Sequence, residues 1–485
     1  MATQSLKDKT IKGVGWSAAD AYLGYCVTLI VGIILARLLS PDEYGLIGLT
    51  TIFIVVLESI VDSGFSTSLI RKKDVTEDDY NTMFYTNLGV SIVMYVVLFF
   101  CAPLISSFFD REELVSLVRV MGLLIIIQAL SIVQYTVLSK RIDFKTKTKA
   151  SLLSAIISGV IGVGMAFTGF GVWALVGQRL SKEFFYTMLL WVFNKWWPKL
   201  RYSIDSLRYM WGFGWKLLLS GLLDRTWAQL YQVVVGKFYN PSTLGQYSKG
   251  KEFPSFLSVN FQTIIGRVTY PVLAEVQDDT TRLVSAYRRI IKTTMFVTVI
   301  SVISLGAVSE PFIFCLIGPQ WQQAATFMPF ICFSMSLYPL HAINLNMLKV
   351  LGRSDIFLYL EIVKKIIAIG PLCLGIFVGI YWMLIGSIVI GFIAFFINTY
   401  YTGKKLGYTS WMQLKDVAPS YGIAFLIGLS VYFLKYLPIS YWIILPLQVI
   451  IGLSVFIIAC ERIKLVEYVE LKDIMKAYLK KMVRH

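Results

Sequence analysis

The stretch W-G-F-G-W-K-L-L-L-S-G-L-L-D-R-T-W-A-Q-L-Y-Q-V-V-V-G-K-F-Y-N-P-S-T-L-G-Q-Y-S-K-G-K-E runs from Trp211 to Glu252. It reads as one long apolar helix, a tight turn at Asn240-Pro241 and the start of a second helix, since proline fits the first turn of a helix but not its interior. Lys216, Asp224, Arg225, Lys249, Lys251 and Glu252 fall on it at positions expected inside a membrane. The stretch also echoes the N-terminus. Gly13-x-Gly15-Trp16 recurs as Gly212-x-Gly214-Trp215, and Ser40-Pro41-x-x-x-Gly45 recurs as Asn240-Pro241-x-x-x-Gly245. Both echoes sit at nearly the same offset, so the stretch marks the start of a second copy of a first half.

Composition sets the class. Hydrophobic residues make up 56% of the 485 and charged residues 15%, against about 25% charged in a soluble domain. The chain is therefore expected to be an all-α polytopic membrane protein. The six cysteines, Cys26, Cys101, Cys315, Cys332, Cys373 and Cys460, form no C-x-x-C pair and fall mostly in apolar runs. They read as small hydrophobes rather than as a metal or redox site. Two histidines, His341 and His485, are too few for a histidine-ligated metal centre. The basic start at Lys7, Lys9 and Lys12 leads into an apolar run that continues past Asp20 to Ala36. That run is longer than the short core of a cleaved signal and reads as a first span.

About fourteen candidate spans of roughly 20 apolar residues follow. They lie near 13–36, 44–66, 82–108, 114–138, 150–168, 171–193, 208–235, 242–266, 288–316, 324–349, 355–378, 380–402, 417–434 and 441–460. With the N-terminus inside, about 32 basic residues fall on the inner side and only Arg37, Arg111, Arg119, Lys237 and Lys435 on the outer side. This asymmetry orients the chain with both termini cytoplasmic. It also accounts for the formal net charge of +16 through topology and attraction to membrane lipids, without nucleic acid. The echoes set span 1 against span 7 and span 2 against span 8. Six spans per copy make the two lobes parallel, over 1–200 and 201–405, with two further helices in 406–460. The segment 461–485 has helical apolar spacing and many lysines, as expected of an amphipathic tail on the cytoplasmic surface; a solvated tail is the competing reading.

No G-x-x-x-x-G-K-[ST] loop is present, so ATP hydrolysis by this chain is not expected. No extramembrane segment is long enough for a catalytic domain. Glu77-Asp78-Asp79 and Asp278-Asp279 read as solvated loops rather than metal sites. Trp196-Trp197-Pro198 reads as an interfacial anchor. Trp215, Trp227 and Tyr231 are candidates for stacking on a sugar, a weaker reading than simple packing.

Ionisable groups within a bilayer are costly and face a partner or a cavity. Span 1 carries Asp20; span 2 carries Glu58 and Asp62; span 6 carries Arg179, Lys182 and Glu183. Span 7 carries Lys216, Asp224 and Arg225; span 8 carries Lys249, Lys251 and Glu252; span 11 carries Glu361, Lys364 and Lys365. Internal pairing is the bland account: Asp224 with a basic neighbour, Glu183 with Arg179, Glu361 with Lys365. It runs short because the acids of spans 1 and 2 are expected towards the cytoplasm, while the basic groups of spans 6 to 8 spread through the middle and outer half. Arg179, Lys182, Lys216, Arg225, Lys249, Lys251 and Lys364 are therefore expected to line a cavity for an anion, phosphate above all. Asp20, Glu58, Asp62 and Asp224 are expected to balance charge or to bind a coupling Na+ or H+. No cofactor and no resident metal are expected.

The N-terminal G-x-G-W, the A-R-L-L-S-P-D-E-Y-G-L of Ala36–Leu46, the D-S-G-F-S of Asp62–Ser66 and the N-P-S-T-L-G-Q-Y of Asn240–Tyr247 resemble the polysaccharide-transporter flippases. These are the O-antigen and colanic-acid type exporters of the multidrug/oligosaccharidyl-lipid/polysaccharide superfamily. The resemblance covers essentially the whole chain. It implies two lobes around a cavity lined by spans 1, 2, 7 and 8, and alternating access. It implies a polyprenyl-diphosphate-linked glycan moved to the outer leaflet of a bacterial inner membrane, by a monomer working beside a polymerase and glycosyltransferases of the same pathway. No catalytic motif transfers, because the family has none. A lipid II flippase would share a basic cavity. A cationic-drug or proton antiporter would want an acidic one. A membrane glycosyltransferase or polymerase would want a sizeable outer loop.

Overall fold

A computed structural model describes residues 23–62 and 64–482; the expectations for residues 13–16 and for Asp20 lie outside the described residues. The described chain is helical, with no strand among the described residues. It divides by packing into two units that meet in sequence between Gly245 and Gln246. This division by contact and the division by duplication at 200/201 describe different properties of the chain.

The first unit holds α1 (Leu23–Leu38), α2 (Pro41–Asp62), α3 (Phe65–Arg71), α4 (Glu77–Phe109), α5 (Glu113–Met121) and α6 (Leu123–Lys140). It continues with α7 (Phe144–Phe167), α8 (Val172–Asn194), α9 (Ile204–Phe238) and the first turn of α10 (Pro241–Glu275). Helix α2 is its hub and packs on α4, α5, α6, α8 and α9. The most extensive pairing is the α7–α8 hairpin, where small residues let the backbones approach. A methyl placed on Gly162 would lie 2.5 Å from the Gln178 Cβ. Helix α4 starts in a capping box: the Asp79 backbone N–H donates to Thr76 Oγ1 (3.3 Å) and the Thr76 N–H to Asp79 Oδ2 (2.8 Å). Asp79 is fully buried and paired with Lys72 at 2.7 Å. The Glu77-Asp78-Asp79 run is thus a helix start rather than the solvated loop expected from its charge density. Trp196 likewise differs from the expected interfacial anchor. It is buried against Tyr80 and Phe84, its indole N–H reaching Glu77 at 3.3 Å, and of the pair Trp197 alone is exposed. The irregular segment after α8 is pinned by the donation of Lys199 N–H to Asn81 and of Ser203 N–H to Thr82, and this fixes where α9 begins.

The second unit holds the rest of α10, then α11 (Thr280–Ala307), α12 (Ser309–Leu316), α13 (Gln322–Ser336), α14 (Tyr338–Val350) and α15 (Ser354–Ile367). After these come α16 (Ile369–Phe377), α17 (Ile380–Leu406), α18 (Ser410–Tyr432), α19 (Tyr441–Ile463) and α20 (Val466–Met482). Its core is built on α11, α14, α17 and α18 around Tyr287, Met347, Phe395 and Tyr408. Within it the Tyr287 hydroxyl donates to Asn344 Oδ1 at 2.6 Å, and Asn344 exchanges hydrogen bonds with Gln413 at 3.1 and 3.2 Å. Such satisfied buried amides fix helix register where apolar packing alone would not. Asp279 caps α11 by accepting from the Arg282 N–H at 3.1 Å.

Every expected span but the start of the first has its counterpart in a helix or a broken pair of helices, and the interruptions fall at identifiable residues. Gly64, at φ +69°, separates α2 from α3; Pro339 and Pro371 follow the breaks at Leu337 and Ala368. Nine helices among the described residues are long and apolar enough to cross a membrane. Helices α8, α9 and α10 are not among them, although α9 and α10 run 35 residues each; α8 carries Arg179, Lys182 and Glu183 within 23 residues.

Candidate functional site

The glycine motifs explain how α2 and α9 are set against each other. A methyl on Gly45 would sit 1.7 Å from the Pro241 carbonyl oxygen, and one on Gly245 would sit 1.9 Å from the Pro41 carbonyl oxygen. The two P-x-x-x-G echoes therefore cross, each glycine making room for the other's proline turn. At the far end of α2, a methyl on Gly64 would lie 2.9 Å from the Gly214 carbonyl oxygen. The D-S-G-F-S segment thus meets the second G-x-G-W. Helix α2 is held close to the α9–α10 hairpin at both ends, and the charged residues lie between those two contacts.

Partly buried Glu58 of α2 lies within electrostatic range of Glu183 and Arg179 on α8 and of Arg225 on α9. The Arg179 guanidinium donates to Thr51 Oγ1 on α2 at 2.5 Å. Lys182 is the charged neighbour of Glu183. Asp62 accepts from the Ser66 hydroxyl at 2.7 Å. The expectation that the span 2 acids stand apart from the basic groups is therefore corrected at Glu58, because the close approach of α2 to α8 and α9 places its carboxylate among them.

Around α9 the charges diverge. Arg225 follows Gly214 by eleven residues, about three turns, and so shares its α2-facing stripe. Lys216 is nine residues before Arg225, about half a turn round the helix, and lies 5.9 Å from the Trp215 ring. Lys216, Asp224 and Arg225 are all exposed. Charged side chains do not face hydrocarbon, so their exposed faces belong to water-accessible surface. The cluster the structure brings together is thus Glu58, Arg179, Glu183 and Arg225, with Lys182 beside it and Lys216 outside it.

In the second unit the expected cavity cations have local partners. Lys249 pairs with Glu252 at 2.8 Å, and Lys251 lies 5.9 Å from the Tyr247 ring. Lys364 pairs with Glu361 at 2.5 Å. The sequence pattern pairs that carboxylate with Lys365; the structure sets Lys364, at i+3, against it. Beside Lys364 lies His341, whose Nδ1 is 3.3 Å from the Asn398 amide nitrogen. Sequence reasoning passed over His341, using it only to argue against a metal. Its occurrence in an apolar span was the available signal. The second unit also has an apolar groove of about 640 Å³ between α11, α18 and α19, walled by Phe296, Ile300, Ile427, Leu453 and Phe456. No group of three or more potential metal ligands is found among the described residues.

Against known proteins, the profile of a family described as polysaccharide biosynthesis protein matches residues 34–326, more than half of the chain. The chain belongs to the polysaccharide biosynthesis protein family. Among its relatives is the succinoglycan biosynthesis transport protein ExoT of Rhizobium meliloti (strain 1021), 23% identical over 77% of this chain and 76% of that protein. The teichuronic acid biosynthesis protein TuaB of Bacillus subtilis (strain 168) is 24% identical over 73% and 74%. The lipopolysaccharide biosynthesis protein WzxC of Escherichia coli (strain K12) is 22% identical over 76% of each. Among solved structures, lipid II flippase MurJ in an inward closed conformation superposes with a TM-score of 0.71 at 15% identity, over 93% of this chain and 98% of that one. An inward-facing multidrug resistance MATE family transporter of the MOP superfamily follows at 0.58 and 17%, over 80% and 96%. At these identities the two structures establish the shared fold of this polysaccharide biosynthesis protein.

Proposed function

We propose that this polysaccharide biosynthesis protein is a flippase rather than an enzyme. It carries a polyprenyl-diphosphate-linked oligosaccharide from the cytoplasmic to the periplasmic leaflet of a bacterial inner membrane by alternating access, for O-antigen, capsule or exopolysaccharide assembly. The observation that carries this reading is the cluster of Glu58, Arg179, Glu183 and Arg225 on helices of a membrane protein. A diphosphate cannot enter hydrocarbon bare, because desolvating an unpaired charge costs far more than thermal energy. Arginines at a water-accessible surface lower that cost. Carboxylates among them keep the affinity modest, so that the headgroup can leave again. The apolar groove of the second unit is a surface on which a long hydrocarbon chain can lie. Relatives named for succinoglycan, teichuronic acid and lipopolysaccharide biosynthesis supply the glycan class.

Transport is driven by Na+ or H+ bound at the acidic members of the cluster, in a monomer that hands its cargo to the polymerase of the same pathway. Depletion of the protein tests the reading. A lipid-linked oligosaccharide should accumulate in the cytoplasmic leaflet, with its glycan released and identified by mass spectrometry. Accumulation of lipid II instead would make the chain a lipid II flippase. If no lipid-linked sugar accumulates, the reading fails.

A further inference from the structure

Within the second unit, a concentration of ionic contacts lies between α11 and the C-terminal helix α20. Lys292 Nζ is 2.6 Å from Glu467 Oε1, and Arg289 Nη2 is 3.0 Å from Glu470 Oε1. A pocket of about 210 Å³ opens between Ser285, Arg288, Arg289, Lys292, Glu467 and Glu470. Arg288 is at the same time held by a two-pronged contact to Asp416 at 2.5 and 2.6 Å. The apolar side of the tail is seated too: Leu465, Tyr468 and Leu471 pack beside Phe296, Phe456 and Cys460. Phe296 lies one turn beyond Lys292 on α11, so this face of α11 passes within a turn from basic to apolar.

A basic pocket that gives way to apolar surface at a membrane boundary matches a lipid phosphate in chemistry. Here the carboxylates of Glu467 and Glu470 occupy the places phosphate oxygens would take. The Arg289–Glu470 pair is largely open to water, and an exposed ion pair and the attraction of one basic side chain to an anionic leaflet are of similar size. Exchange of one partner for the other is therefore near balance at Arg289, while the buried Glu467 is the carboxylate Lys292 releases last.

We propose that the Arg289–Lys292 pocket is a binding site for the phosphate headgroup of an anionic phospholipid, and that α20 is a strap whose Glu467 and Glu470 fill the site until such a lipid displaces them. The proposal stands apart from the transported substrate. It rests on the proposed orientation only in placing the site at the cytoplasmic leaflet.

The test uses the full-length protein in vesicles of phosphatidylcholine and in vesicles enriched in phosphatidylglycerol, read by amide hydrogen exchange over residues 466–482. Phosphatidylglycerol should make exchange there on the order of tenfold faster, as local opening predicts. Sodium pyrophosphate added to phosphatidylcholine vesicles should not. A protein carrying Arg289→Gln and Lys292→Gln should exchange fast in both vesicles and lose co-purifying phosphatidylglycerol in native mass spectrometry. One carrying Glu467→Gln and Glu470→Gln should exchange fast in both and retain that lipid, which separates a loosened strap from a lost site. Equal protection of the wild-type tail in the two vesicles would overturn the proposal. So would an equal effect of pyrophosphate, or a phosphatidylglycerol effect that survives the Arg289 and Lys292 changes.

Discussion

Arg225 and Glu58 carry the sharpest predictions at the scale of single residues. Arg225 sits on the α2-facing stripe of α9, in electrostatic range of Glu58, and it belongs to no helix core whose loss would unfold the chain. Arg225→Ala should cut transport of the lipid-linked glycan in vesicles by at least about tenfold, the effect of losing one contact of ~1.4 kcal/mol in the rate-limiting state. Protein abundance should stay near normal. Arg225→Lys should restore part of the rate, because an ammonium lacks the bidentate fork. Wild-type transport by both variants would confine Arg225 to charge pairing and move the anion site to Arg179 and Lys182. Glu58→Gln keeps the shape of the side chain and removes the charge. If Glu58 binds the coupling cation, the variant should lose the pH or sodium dependence of transport; an unchanged profile would return Glu58 to charge balance. Which residues were charged inside the spans was plain from the sequence. Which of them meet was not, since that depends on the rotation of α2, α8 and α9 about their axes. Arg225 and Lys216 are nine residues apart on one helix and end on opposite sides of it, and Glu361 is met by Lys364 at i+3.

Among the helices, the reciprocal glycine crossing is the feature most open to test. Gly45 and Gly245 each face a proline carbonyl at a separation no Cβ can occupy, and backbone cannot retreat as a flexible side chain can. Gly45→Val or Gly245→Val should force the first turns of α2 and α10 apart, with the ~1–3 kcal/mol cost usual for overpacking as a lower bound. The expected result is a fall of several degrees in the melting temperature of the purified protein and a reduced folded yield. Gly164→Ala is the control, since open space surrounds that position and alanine is the better helix former. If Gly45→Val melts with Gly164→Ala, the crossing carries no weight in the fold. The repeat signal lay in the sequence as two short echoes; for the P-x-x-x-G pair the structure adds a contact between the copies, which no single-chain periodicity contains. Spans were legible because hydrophobic length is a one-dimensional property. The burial of Trp196 and Asp79 was not legible, because both depend on which neighbouring helix covers the end of α4.

For the molecule as a whole, orientation is the claim on which the direction of transport depends. The net charge of +16 is spread unevenly along the chain, and the excess of lysine and arginine on one set of loops is what a translocation machinery reads. The proposed orientation puts Ser242, in the Asn240-Pro241 turn, and Thr168, in the turn between α7 and α8, on the periplasmic side. It puts Leu200, in the connection before α9, in the cytoplasm. Leu200 is 93% exposed and Thr168 is also open to solvent, so a cysteine at either can be reached from its own side of the membrane. Single cysteines at these three positions, in a background lacking the six native ones, should divide cleanly. A membrane-impermeant maleimide added to intact cells should label Ser242→Cys and Thr168→Cys at once, and Leu200→Cys only after the membrane is opened. The reverse pattern would invert the protein and turn the proposed exporter into an importer. Labelling of Thr168→Cys without Ser242→Cys would mean that an odd number of crossings separates them, which the helices α8 and α9 would then have to supply. Neither is in the set of helices long and apolar enough to cross, so this experiment also decides whether helices bearing Arg179 and Arg225 cross the bilayer at all.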